Sequence, residues 1–236
     1  MNQPNYSIFI DNYKVAKEAA KVIFDLSREP GIKHIALSGG STPKLLFAEL
    51  AEKYGNQINW SEVHIYWGDE RCVPPSHEES NYKMTRKLLL DHIEIPISNI
   101  HRIKGEDNPE AEAVRYEDLI KSSTGASRPS FDLIILGMGE DGHTASIFPH
   151  QMPLLESDQL CSVATHPESG QKRVTMTGNL LNMAKHVLFL VTGKSKKQKV
   201  RQIFRKEGPY LSYPASHIMP TGKLEWYLDQ EAASEL

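Results

Sequence analysis

The residues that could do chemistry concentrate in one stretch, FDLIILGMGEDGHTASIFP, residues 131–149. A histidine titrates near neutral pH, so His143 can take a proton from water or a hydroxyl group. Asp141, two residues earlier, can orient the imidazole or hold a polar group of a ligand. Asp69 and Glu70 of WGDER are alternative orienters. The stretch also contains GMGEDG, which spells the G-x-G-x-x-G of a dinucleotide-binding turn. Glu140 and Asp141 inside that turn would repel a pyrophosphate. A histidine follows the third glycine, where close helix–strand packing wants a small or apolar residue. The motif lies past mid-chain, with no clear βαβ unit carrying an acid at the end of its second strand. Its glycines instead let a loop bend sharply and present Asp141 and His143 at the edge of a sheet. No G-x-S-x-G elbow appears, which argues against a serine hydrolase of that kind. Cys72, beside Arg71, lacks a neighbouring base and reads as structural.

A second stretch reads as an anion seat. In SGGSTP, Ser38 to Pro43, Gly39 and Gly40 expose backbone N–H groups, and Ser41 and Thr42 add hydroxyl donors. Pro43 suits a first helical position, so a helix would aim its positive end at the loop. This is not a Walker A loop, because no GK[ST] follows at the required spacing. A phosphate dianion also recruits cations. Arg71 in WGDER, Arg173 in QKRVTMT and the lysines of VTGKSKK are candidates, each near a strand end. The run KSKKQKVR is most simply a basic helix face with one lysine diverted to the site.

Strands and helices that could position these loops alternate along the chain. YSIFI reads as a strand, followed by a helix that Asp11 or Asn12 could cap and that Val15, Ala19, Val22, Ile23 and Leu26 make amphipathic. HIALS, VHIYW and FDLIIL read as strands, KLLFAELAEKYG and PEAEAVRYEDLIKSS as helices, and Ser80 as a helix cap. RVTMT and HVLFLVTG read as later strands, KSKKQKVRQIFR as a helix, and LEWYLD as a final strand. This order predicts an α/β fold, a mainly parallel sheet with helices on both faces in a Rossmann-like three-layer architecture. Ligands of such sheets bind at the carboxyl ends of strands, where SGGSTP, WGDER, GMGEDGH and VTGKSK fall.

Composition narrows the function classes. With 27 Lys+Arg against 30 Asp+Glu among 236 residues, bulk charge points to no nucleic-acid partner. Basic features are local, so an anionic ligand should be small. The N-terminal residues show no signal-peptide pattern, and no run approaches the roughly 20 apolar residues of a membrane helix. Two cysteines without metal-ligand spacing fit a reduced, cytoplasmic protein, and the histidines form no HxxxH or HExxH pair, so a metal site has little support. No exposed apolar stripe stands out, which leaves monomer or homodimer open.

Taken together, SGGSTP, WGDERCVPPSHEESNY, ILGMGEDGHTASIFP, KRVTMTG and YPASHIMPTGKLEWYLDQEAA resemble the 6-phosphogluconolactonase family, in order and over nearly the whole chain. The resemblance implies one domain spanning 1–236, with a fold similar to glucosamine-6-phosphate deaminase and ribose-5-phosphate isomerase. It implies cofactor-free hydrolysis of 6-phospho-D-glucono-1,5-lactone to 6-phosphogluconate in the oxidative pentose phosphate pathway. It makes His143 the general base, with Asp141 of the same motif and Arg71 as catalytic partners. Arg173 and Lys196 join the Ser38–Thr42 loop and Asp69 in holding substrate. The family's G-x-x-K pattern, counted from Gly193, selects Lys196 over Lys194. The chain departs from the family at Thr177-Gly178-Asn179, where T-L-P is common. A deaminase on the same fold would want a carboxylate soon after the histidine, and none occurs before Glu156. A sugar-phosphate sensor would want a DNA-binding module, for which the first strand leaves no room ahead of it.

Overall fold

The structure is a computed structural model and describes residues 5–236. In chain order its main elements are β1 (Asn5–Phe9), α1 (Asn12–Ser27), β2 (Lys33–Leu37), α2 (Ser41–Glu49), β3 (Val63–Trp67), β4 (Asp69–Arg71), α3 (Asn81–Leu88), β5 (Ile100–His101), α4 (Pro109–Thr124), β6 (Leu133–Leu136), β7 (Cys161–Thr165), β8 (Lys172–Met176), α5 (Gly178–Asn182), β9 (His186–Val191), α6 (Lys197–Arg205) and β10 (Lys223–Asp229). Asp11, not Asn12, caps α1: its carboxylate accepts the Lys14 N–H at 2.8 Å. Ser80 caps α3, its hydroxyl accepting the Lys83 N–H at 3.1 Å.

Seven strands form one parallel sheet in the order β1-β10-β9-β6-β2-β3-β5. All four side chains of β6, LIIL, are fully buried. Alternate residues of a strand point to opposite faces, so both faces of the sheet are covered there. The chain lays β3 and β5 on one side of β2, then adds β6, β9 and β10 on the other. Winding reverses between β2 and β6. A crevice opens at such a reversal, outside the carboxyl ends of the strands. The loops after β2, β6 and β9 all leave from that edge.

A second sheet, β4-β8-β7, is antiparallel. It departs from the sequence reading, in which RVTMT simply continues the run of later strands and CSVAT goes unread. The cause is a bend at Gly68. Its N–H donates to the Leu37 carbonyl at 2.8 Å, still on the main sheet, while its carbonyl accepts the Met176 N–H at 2.8 Å. One residue thus hands the chain from β3 to a new sheet, a decision made by long-range pairing rather than by strand propensity. The expected helix KSKKQKVRQIFR is also shorter than read: Lys194–Lys196 form a tight 3-10 turn, and α6 starts at Lys197.

Near the amino ends of β2 and β3, three histidines stack. His34 Nδ1 meets the Tyr66 hydroxyl at 2.9 Å, and His64 Nδ1 meets His101 Nε2 at 2.9 Å. The His101 ring lies 4.4 Å from that of Tyr66. Burial lowers all three imidazoles, and burial together with the neighbouring His64 and His34 holds His101 at about 4. An unfolded histidine takes its proton near pH 6.5. Between that pH and about 4 the unfolded chain therefore binds more protons, and stability falls as pH falls. With partial solvent screening, His101 contributes about 2 kcal/mol of this loss. The melting temperature is expected to drop less between pH 7 and pH 4.5 in His101→Phe than in the parent. Equal drops would clear the stack of responsibility.

Candidate active site

The crevice is an open cleft at the carboxyl ends of the strands. Ser38, Gly39, Gly40, Asp69, Arg71, Asn81, His143 and Arg173 line it. An adjoining compartment shares Gly39 and Gly40 and adds Ser41, Thr42, Thr192 and Lys196. Ten of the eleven residues singled out in the sequence thus line one continuous depression. The eleventh, Asp141, touches it through His143.

His143 Nδ1 lies 2.6 Å from Asp141 Oδ1, and the same oxygen accepts the His143 backbone N–H at 3.0 Å. Burial alone would raise the Asp141 carboxyl, but the hydrogen bonds and charge of His143 outweigh it and hold Asp141 at about 2. Asp141 therefore stays ionised at neutral pH, and a carboxylate on Nδ1 keeps the proton there. Nε2 is left as the basic nitrogen. The Phe148 ring packs 4.7 Å from the imidazole and limits its tilt. Of the three carboxylates considered as orienters, only Asp141 reaches it.

The loop itself is not a dinucleotide turn. The Gly139 N–H donates to the His143 carbonyl at 2.8 Å, and Thr144 bridges to Ile147, so no helix start follows the third glycine. Gly142 sits at φ +88°, and a Cβ there would lie 2.7 Å from the Cβ of Tyr213. Tyr213 is buried, donates to Gln202 Oε1 at 2.6 Å, and begins the segment whose Ala215 N–H caps the Gly142 carbonyl at 3.1 Å. The YPASH stretch thus buttresses the histidine loop, a role its sequence alone does not announce. Gly142→Ala should combine left-handed strain with this clash and cost about 2 kcal/mol. The expected result is a melting temperature lower by roughly 4–8 °C and a disproportionate loss of activity. An unchanged melting curve would mean that the loop is not held this way.

WGDER supplies three different parts. Asp69 is buried, and its Oδ2 accepts the Ser146 hydroxyl at 2.7 Å. Glu70 turns away beneath the start of α3, accepting the N–H groups of Arg71, Asn81 and Tyr82, each at 2.8 Å, and the Ser80 hydroxyl at 3.0 Å. It orders the loop and is not an orienter of His143. Arg71 Nη1 donates to the Glu79 carbonyl at 2.8 Å. Burial, helped by Glu110 and Glu70, pushes the Cys72 thiol up to about 11, consistent with a structural residue. Asn81, unremarked in the sequence reading, lines the cleft and donates to the Asp69 carbonyl at 3.0 Å. A Cβ on Gly39 would fall 2.0 Å from its Oδ1, so Gly39 must be glycine for Asn81 to reach the loop. The only sequence cue to Asn81 is its place immediately after the capping Ser80.

At the other end, α2 begins at Ser41, with Gly40 as its cap residue. The Thr42 hydroxyl meets that of Thr192 at 2.7 Å, tying the start of α2 to the end of β9. Asp229 fixes the next turn by accepting the Gly193 N–H at 2.9 and 3.0 Å. That turn brings Lys196, not Lys194, to the cleft wall. Burial lowers the Lys196 ammonium, while Glu140 and Asp141 pull it back up. Arg173 lines the His143 compartment and Lys196 the adjoining one. Arg173 faces Arg71 across the β4–β8 pairing, with its guanidinium 5.4 Å over Phe148.

Fold and site together define a class: Rossmann-like α/β proteins whose ligand cleft opens at the carboxyl ends of a parallel sheet where winding reverses. The family of glucosamine-6-phosphate isomerases/6-phosphogluconolactonase matches residues 12–226. The 6-phosphogluconolactonase of Haemophilus influenzae is 49% identical over 221 residues, 93% of this chain and 92% of that protein. The crystal structure of a devB protein is similar at a TM-score of 0.94 and 44% identity, covering 98% of this chain and 99% of the other. A monomeric glucosamine-6-phosphate deaminase shares the fold at a TM-score of 0.84 and 22% identity, over 98% and 100% of the two chains. The chain belongs to the glucosamine-6-phosphate isomerase/6-phosphogluconolactonase family.

Proposed function

We propose that this protein hydrolyses 6-phospho-D-glucono-1,5-lactone to 6-phosphogluconate, with no cofactor. The observation that carries the reading is the His143–Asp141 pair, at 2.6 Å, in one depression with a helix-start anion seat. The similarity to the Haemophilus influenzae lactonase supports the choice of substrate. A lactone is an activated ester and needs no covalent intermediate. His143 Nε2 takes a proton from water, and the hydroxide oxygen bonds to the C1 carbonyl carbon. The C1–O5 bond then breaks, and the proton on Nε2 passes to the ring oxygen, which leaves as the C5 hydroxyl. Negative charge that develops on the carbonyl oxygen meets Arg71 and backbone N–H groups of the glycine loop. The phosphate occupies the loop from Ser38 to Thr42 and pairs with Lys196. Its binding energy, remote from the bond that breaks, positions C1 for attack.

The deaminase reading is weaker. Sugar isomerisation with amine loss calls for a further acid near the histidine, and TASIFPHQMPLL supplies none. Lactone hydrolysis should be followed by acid release above the spontaneous rate, and ammonia release from glucosamine 6-phosphate on the same preparation. Acceleration of the first alone supports the proposal. Acceleration of the second alone replaces it with the deaminase.

A further inference from the structure

Arg71 and Arg173 are directly opposed cross-strand partners in the β4–β8 pair. Like charges so placed repel, and the half-buried position weakens the screening that water would provide. Neither guanidinium is used up by the protein. Arg71 gives one N–H to the Glu79 carbonyl, and Arg173 gives one to the Ser146 hydroxyl at 3.4 Å. The Nε of each is buried without a partner among the described residues, as is the hydroxyl of Ser38. Three orphaned donors therefore line the His143 compartment. Buried donors are rarely left unpaired in folded proteins, and three of them here face one compartment.

We propose that Arg71 and Arg173 form a second anion seat, separate from the phosphate loop, that grips the carboxylate created at C1 by hydrolysis. The inference rests on the lactonase reading for which end of the substrate lies where. The substrate carries one anion, its phosphate, and Lys196 with the start of α2 already answers it. Hydrolysis adds a second anion at the other end of the chain, where His143 acts. A pair of guanidinium groups beside that histidine matches it in charge, and each fork can hold a carboxylate through two parallel N–H groups. The protein then reads a six-carbon chain with an anion at each end, and the product is a competitive inhibitor.

Calorimetric titration of 6-phosphogluconate and of glucitol 6-phosphate, which has a CH₂OH at C1, tests this directly. The parent protein should prefer the carboxylate by at least about tenfold, the scale of a charge-assisted pair. Arg173→Gln should remove that preference by weakening 6-phosphogluconate alone. Arg71→Gln serves the same purpose if Arg173→Gln does not fold. A parent ratio near one overturns the proposal. So does an equal loss of both ligands, which would return Arg173 to the phosphate. Lactone turnover on the same parent sample reports separately: carboxylate preference without turnover keeps the seat and sinks the hydrolase reading.

Discussion

Replacing His143 by alanine is expected to lower kcat for lactone hydrolysis by about 10²–10⁴-fold, the range of a lost general base. Binding of 6-phosphogluconate should change little, because the phosphate loop, Lys196 and the two arginines remain. The expectation follows from geometry. Asp141 holds the imidazole through Nδ1 and Phe148 packs against it, which leaves Nε2 as the free nitrogen of a side chain that lines the cleft. Asp141→Asn should reproduce part of the loss, because an amide can present its N–H to Nδ1 and place the imidazole proton on Nε2 instead. Steady-state rates above the spontaneous background, with titration of the product, separate the two effects. Wild-type turnover in His143→Ala would move the base elsewhere in the cleft, and Asp69 would become the first residue to examine.

Replacing Lys196 by methionine should lower kcat/KM for the phosphorylated lactone by roughly 10–150-fold, the equivalent of one charge-assisted hydrogen bond. Methionine keeps the half-buried stem packed and removes only the charge. The comparison that decides the matter uses glucono-1,5-lactone, which has no phosphate. Its slow hydrolysis should be unaffected by the substitution, because the role proposed for Lys196 is at the remote, phosphorylated end of the substrate. Equal losses for both lactones would place Lys196 at the reacting carbon. A matching Lys194→Met variant should behave like the parent, since the 3-10 turn sends that residue away from the cleft wall.

Much of this was legible in the sequence because it is local. Asp11 and Ser80 cap helices through hydrogen bonds three residues long. The apolar runs IAL, LIIL and VLFLV are parallel strands because only a sheet covered on both faces buries every residue. Asp141 and His143 meet because a glycine-rich turn folds two residues back on each other. The glycine loop before α2 and the G-x-x-K spacing are likewise short-range patterns, and both reach the cleft.

What the tertiary structure decided depends on partners far apart in the chain. Residues 172–176 pair with WGDER rather than with the main sheet because Gly68 bonds to both Leu37 and Met176. That pairing sets Arg173 opposite Arg71, about a hundred residues away in sequence. Glu70 serves the start of α3 instead of the histidine because four donors converge on it there. Tyr213 and Asp229 hold the His143 and Lys196 loops from the far end of the chain through one buried ring and one carboxylate. Periodicity and spacing carry no information about such contacts, because a side chain's neighbour across a sheet is chosen by register and packing, not by distance along the sequence.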